Sequence, residues 1–281
     1  MTYTTLIGPA ALATLIADDA VVVIDCQFDL ADPAAGEARY RAGHVPGARY
    51  FHLDRDLAGP PDGSNGRHPL PDPVLLAARL RAAGLCRGEQ VVAYDGSGGA
   101  FAARLWWLLR WLGHEAVAVL DGGLPAWVAA GLPVESGEAP AAASGDFDVG
   151  ASHDDMIVDT AAVLANLRAP RFLVVDARTA ARFRGEPNPL DPVAGHIPGA
   201  SNRFYGDNLD AAGRFRPAAE LKAAFANVLG GVSPDEVVLQ CGSGVTACHN
   251  ALAMAVAGLP GARLYPGSWS EWIADPRRPV A

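Results

Sequence analysis

The sequence predicts an α/β protein made of two tandem copies of one domain, each a mainly parallel sheet flanked by helices. Three observations predict it. Short apolar runs rich in β-branched residues alternate with stretches of helical periodicity. Four segments of the first half return, in the same order, in the second. A stretch of small and polar residues without periodicity divides the two sets.

The strand and helix patterns come first. Runs such as Val21-Val22-Val23-Ile24, Val91-Val92-Ala93-Tyr94, Leu173-Val174-Val175 and Val237-Val238-Leu239 are short and continuously apolar. That is the pattern of strands buried on both faces. Helical periodicity predicts helices over residues 73–83, 100–112, 218–229 and 245–257.

The repeat comes second. Ile24-Asp25 is echoed by Val175-Asp176, and Gly43-His44-Val45-Pro46-Gly47-Ala48 by Gly195-His196-Ile197-Pro198-Gly199-Ala200. Tyr94-Asp95-Gly96-Ser97-Gly98 parallels Gln240-Cys241-Gly242-Ser243-Gly244, and Leu120 through Trp127 parallels Tyr265 through Trp272. Each echo falls about 150 residues later, which means two copies of a domain and not a solenoid. The third observation sets the boundaries: a first domain over 1–135, a linker over 136–155 and a second domain over 156–281. The linker is rich in Gly, Ala, Ser and Asp.

Composition excludes several functions. The 22 Lys and Arg against 31 Asp and Glu give a formal net charge of -9. An acidic surface repels phosphate backbones, so neither nucleic acid nor an anionic membrane is expected as a partner. Four cysteines are too few for a disulfide framework and suit a reducing compartment. With no basic, apolar leader and no long apolar run, a cytoplasmic location is expected. The cysteines and histidines show no zinc spacing, so neither a metal nor an organic cofactor is expected.

One cysteine stands apart. Cys241 ends a buried strand, and Gly242, Ser243 and Gly244 separate it from a helix. Glycines allow successive N–H groups to converge on an anion, and the helix adds its positive end. Both favour the thiolate, which is the nucleophile. A cysteine that only fills space requires no glycine loop behind it. Cys248 fits that plainer role, since it lies two helical turns on, about 10 Å along the axis. In the first copy Asp95 holds the position of Cys241 and cannot carry sulfur, so that copy reads as silent. Its Gly96-Ser97-Gly98-Gly99 loop is not a dinucleotide fingerprint, because the third glycine is replaced by Phe101.

The run Cys241-Gly242-Ser243-Gly244-Val245-Thr246 resembles the active-site loop of the rhodanese sulfurtransferases, and within them the 3-mercaptopyruvate sulfurtransferases. The resemblance covers most of the chain. It implies two rhodanese-like domains with the active site at their interface, and a Cys241 persulfide stabilised by the N–H groups of Gly242, Gly244, Val245 and Thr246. It implies that His44 of the first copy is directed at Ser243. It also implies a substrate-carboxylate anchor at Arg182, because a guanidinium fork grips a carboxylate with two parallel hydrogen bonds. Arg178 and Arg184 are expected to be solvated arginines paired with surface acids, and His196 to support a turn. Such enzymes often carry a second arginine where this sequence has Leu190.

The implied reaction is a ping-pong transfer of sulfane sulfur from 3-mercaptopyruvate to a thiol acceptor, such as a small thiol or a thioredoxin-like protein, or to cyanide. Thiosulfate:cyanide sulfurtransfer is the nearest alternative, with the same cysteine chemistry. A persulfide carrier or interaction module without turnover is a second. A cysteine phosphatase is disfavoured, because the arginine it needs six residues after the cysteine is Ala247.

Overall fold

The computed structural model describes residues 2–150 and 153–281, so Met1 and two residues of the expected linker, Ala151 and Ser152, lie outside the described residues. The chain divides into two compact units. The first comprises Met1–Gly59, Pro71–His153 and Asp210–Phe215, and the second Pro60–Leu70, Asp154–Leu209 and Arg216–Ala281.

The first unit is built on five parallel strands, β1 (Leu6–Ile7), β2 (Val21–Asp25), β3 (Arg49–Tyr50), β4 (Gln90–Tyr94) and β5 (Val117–Leu120). Their order is β1-β5-β4-β2-β3. Every residue of β4 and β5 is buried, because parallel strands joined by crossover helices are covered on both faces. The register pairs Asp25 with Tyr94, which brings both to the same end of the sheet.

The second unit holds β6 (Leu173–Asp176), β7 (Ser201–Asn202), β8 (Val237–Gln240) and β9 (Arg263–Leu264), ordered β7-β6-β8-β9 and again parallel. This repeats the β3-β2-β4-β5 order of the first unit. Where β1 lies beside β5, the second unit has a single parallel bridge between Ile157 and Leu264. The expected helices are present as Pro73–Ala82, Ala102–Trp111, Ala218–Leu229 and Thr246–Val256.

The boundaries differ from two continuous halves. Residues 60–70 belong to the second unit and residues 210–215 to the first. The described part of the expected linker is a strap on the first unit. Gly137 N–H donates to Arg41 O, Gly145 N–H to Arg81 O, Phe147 N–H to Leu85 O and Gly150 N–H to Leu112 O, at 2.8 to 3.1 Å. A Cβ on Gly145 would lie 1.9 Å from Leu85 O, so only glycine allows the strap this close. Its composition resembles a linker because its partners are backbone carbonyls, which leave no side-chain periodicity.

Candidate active site

Cys241 directly follows β8, and its side chain is buried. Its Sγ receives the N–H groups of Gly244 at 3.1 Å and Ser243 at 3.5 Å. This curl of the loop requires Gly244, whose φ is +77° and whose Cβ would lie 2.3 Å from Pro266 O. The cysteine backbone is held from the other side. Its N–H donates to Ser268 Oγ at 3.1 Å, and its carbonyl accepts from Trp269 N–H at 3.0 Å. Ser268 has a φ of +54°, unusual for a residue with a side chain. The helix Thr246–Val256 starts two residues after Gly244, with its positive end toward the loop.

Ser243 is also buried, and its Oγ lies 2.7 Å from His68 Nδ1. This corrects the expected pairing of Ser243 with His44. In the first unit His44 Nδ1 lies 2.9 Å from Tyr40 O, and the ring stacks on Tyr40 at 4.2 Å. His196 makes the matching bond to Phe183 O at 2.8 Å and stacks on Phe183. A histidine that does the same work in both copies supports the turn they share, whereas His68 has no such twin: Gly66-Arg67-His68 is matched by Gly213-Arg214-Phe215 in the second copy.

Arginines surround the buried carboxylate of Asp191. Arg182 grips it with two bonds, Nε to Oδ2 and Nη2 to Oδ1, each 2.8 Å. Arg178 Nη1 reaches Oδ2 at 3.3 Å, and Arg67 Nη1 lies 3.6 Å from Oδ1. Burial lowers the Arg67 pKa. Asp191 opposes that shift, Arg182 adds to it, and Cys241 opposes it again. The expectation of a solvated Arg178 is overturned. Its side chain is buried, its Nη2 lies 2.7 Å from Asp176 Oδ2, and its guanidinium covers the Trp269 ring at 4.8 Å. A charge this deep needs a fixed counter-ion, and Asp176 supplies one. Arg184 does pair with an exposed acid, Glu186, at 2.7 Å.

Arg67, His68 and Asp191 were not singled out from sequence. The available signal was Gly66-Arg67-His68-Pro69, a permissive glycine and a restrictive proline enclosing a cation and a titratable ring in a loop. Gly242 lies where two of these groups converge: a Cβ placed on it would be 2.8 Å from Nη2 of both Arg182 and Arg67. Among the described residues no group of three or more His, Cys, Asp or Glu could hold a metal ion, and no helix is long and apolar enough to cross a membrane.

The first unit shows what the loop shape holds when the anion is fixed. Asp95 Oδ1 accepts from Ser97 N–H at 2.7 Å and Gly99 N–H at 2.9 Å, and Oδ2 from Phe101 N–H at 2.8 Å and Ala102 N–H at 2.9 Å. The same fold of backbone that presents two N–H groups to the Cys241 sulfur here encloses both oxygens of a carboxylate.

The rhodanese-like domain pattern matches this chain twice, over residues 8–130 and 159–275. The chain belongs to the rhodanese family, among its two-domain sulfurtransferases. It is 50% identical to a probable 3-mercaptopyruvate sulfurtransferase of Pseudomonas aeruginosa, over 100% of this chain and 99% of the relative. It is 40% identical to a putative thiosulfate sulfurtransferase, SseB, of Mycobacterium tuberculosis, over 98% and 96% of the two chains. Among solved structures, the Escherichia coli 3-mercaptopyruvate sulfurtransferase SseA matches with a TM-score of 0.81 at 33% identity, over 95% of this chain and 99% of that one.

Proposed function

We propose that this chain takes sulfane sulfur from 3-mercaptopyruvate onto Cys241 and passes it to a thiol or cyanide. The observation that carries the reading is the position of Cys241 Sγ, within 3.5 Å of two converging loop N–H groups at the end of a buried strand. Those donors favour negative charge on sulfur, first as thiolate and then as persulfide.

In the first half-reaction the Cys241 thiolate attacks the donor sulfur. The new S–S bond forms as the C–S bond breaks, and the electron pair leaves on carbon as the enolate of pyruvate. That carbon then takes a proton to give pyruvate. Ser243, hydrogen bonded to His68, is the group able to relay it. In the second half-reaction an acceptor thiolate or cyanide attacks the outer sulfur, and Cys241 departs as thiolate. Arg182 binds the donor carboxylate through the guanidinium edge that Asp191 leaves uncovered.

The names of the relatives favour a sulfurtransferase and divide between mercaptopyruvate and thiosulfate. A carboxylate donor agrees with an arginine whose Nη2 reaches Gly242, beside the cysteine. The test is to incubate the protein with mercaptopyruvate and map the product by mass spectrometry. One additional sulfur is expected on the peptide containing Cys241, removable by cyanide and absent in Cys241→Ser. Turnover retained by Cys241→Ser would end the proposal.

A further inference from the structure

The position where such enzymes often carry a second arginine is occupied here by Leu190, whose side chain cannot bind an anion. We infer that Arg67, brought from a distant part of the sequence, is the second half of the donor-carboxylate clamp. The inference rests on the mercaptopyruvate reading and deepens it.

Arg67 is held where Leu190 falls short. Its Nη1 donates to the Leu190 carbonyl at 2.9 Å, so its guanidinium stands at the leucine itself. Its backbone is anchored to the residues that hold the cysteine loop: Arg67 N–H donates to Ser270 Oγ at 3.0 Å, and Ser270 N–H donates to Gly242 O at 2.9 Å. Arg67 is thereby fixed relative to the loop before any donor arrives, and preorganisation of this kind strengthens binding.

Geometry and charge agree. The Nη2 groups of Arg67 and Arg182 converge on Gly242, each 2.8 Å from the position a Cβ would take. Glycine leaves open the space between the cysteine and the two guanidinium ends. Beneath them Arg67, Arg178 and Arg182 face Asp176 and Asp191. Three positive charges face two carboxylates, and the one left over serves both the Cys241 thiolate and a donor carboxylate, in a chain whose net charge is -9. Asp191 occupies the Nε–Nη2 edge of Arg182, which leaves that arginine one free edge for the donor carboxylate. Arg67 adds donors from a second direction.

The test compares Arg67→Ala, Arg182→Ala and the double variant Arg67→Ala, Leu190→Arg with wild type, each at full length. Two readouts are taken: pyruvate release from mercaptopyruvate, and Cys241 alkylation by iodoacetate and by neutral iodoacetamide. Arg67→Gln, which can still donate to Leu190 O, replaces Arg67→Ala if the latter fails to fold. Removal of Arg67 is expected to lower kcat/KM about 10- to 100-fold, mainly through KM. Iodoacetate should slow while iodoacetamide does not, and Leu190→Arg should restore part of the loss. If Arg67→Ala leaves kcat/KM and the iodoacetate rate unchanged while Arg182→Ala lowers both, the inference is overturned and the mercaptopyruvate reading stands. Equal slowing of both alkylations would make Arg67 a support of the loop and overturn it too. Wild type that releases no pyruvate would remove the reading and the inference together.

Discussion

Ser268 holds the N–H of Cys241 with its hydroxyl, from a backbone conformation that L-residues seldom adopt. The matching residue of the first unit is Gly123, with a φ of +57° and no side chain to lend. The catalytic copy therefore keeps a serine where glycine would be less strained. Ser268→Gly should cost only about 1 kcal/mol of stability, since relief of strain offsets one of the two lost hydrogen bonds, to Cys241 N–H and Tyr265 O, each about 1 kcal/mol. Turnover should nevertheless fall about 10-fold as the sulfur loses its fixed position. Urea unfolding and kcat measured side by side check both halves; an unchanged kcat would make the serine dispensable.

His68→Asn should lower kcat about 100-fold or more if the ring relays a proton through Ser243. His44→Asn should keep most of kcat while destabilising the first unit, because a buried stack on Tyr40 is lost. Parallel kinetics and thermal melts separate the two histidines. A large loss of kcat in His44→Asn alone would restore the pairing expected from sequence.

The two loop glycines should fail in different ways. A Cβ on Gly244 meets backbone, Pro266 O at 2.3 Å, and its φ of +77° is unfavourable for alanine. Gly244→Ala should cost about 1–3 kcal/mol of stability together with sulfur loading. A Cβ on Gly242 meets only the side-chain ends of Arg182 and Arg67, which can turn aside by giving up their places beside Asp191 and Leu190 O. Gly242→Ala should fold normally and lose kcat/KM for mercaptopyruvate. Equal stability losses in the two variants would contradict this distinction.

Asp25 gives the first unit a pH dependence. Burial pushes its carboxyl up to about 6 from 3.8, against hydrogen bonds from Tyr94 and Gln27 that pull it down. Between those values the folded state binds more protons than the unfolded state. Stability from this group is thus full below about pH 4 and falls as pH rises through 6, by about 3 kcal/mol. Asp25→Asn should remove that slope, seen as the difference between wild-type and variant urea-unfolding free energies from pH 4 to 8. Parallel profiles for the two proteins would refute the assignment.

The parallel sheets and the cysteine loop were legible in the sequence for local reasons. Parallel strands buried on both faces read as apolar runs, and a glycine loop between strand and helix lies within a few consecutive residues. His68 was not legible. Its bond to Ser243 spans 175 residues, and no local pattern encodes a partner that distant. The family resemblance directed attention to His44, although its presence in both copies marked it as a residue of the shared turn. Arg178 looked solvated because its burial depends on Asp176 and Trp269, groups that only the folded sheet brings around it.

The two versions of the loop also differ in how permanent their charge is. Asp95 is a counter-ion built into the polypeptide, so the first unit is electrostatically complete from the moment it folds. The second unit depends for its anion on a sulfur whose state is set by the cell: protonated or ionised, oxidised, bare or carrying cargo. The repeat thereby has one loop indifferent to redox chemistry and another responsive to it. The silent copy is an internal reference, built to the same plan, against which every change of state at Cys241 can be read.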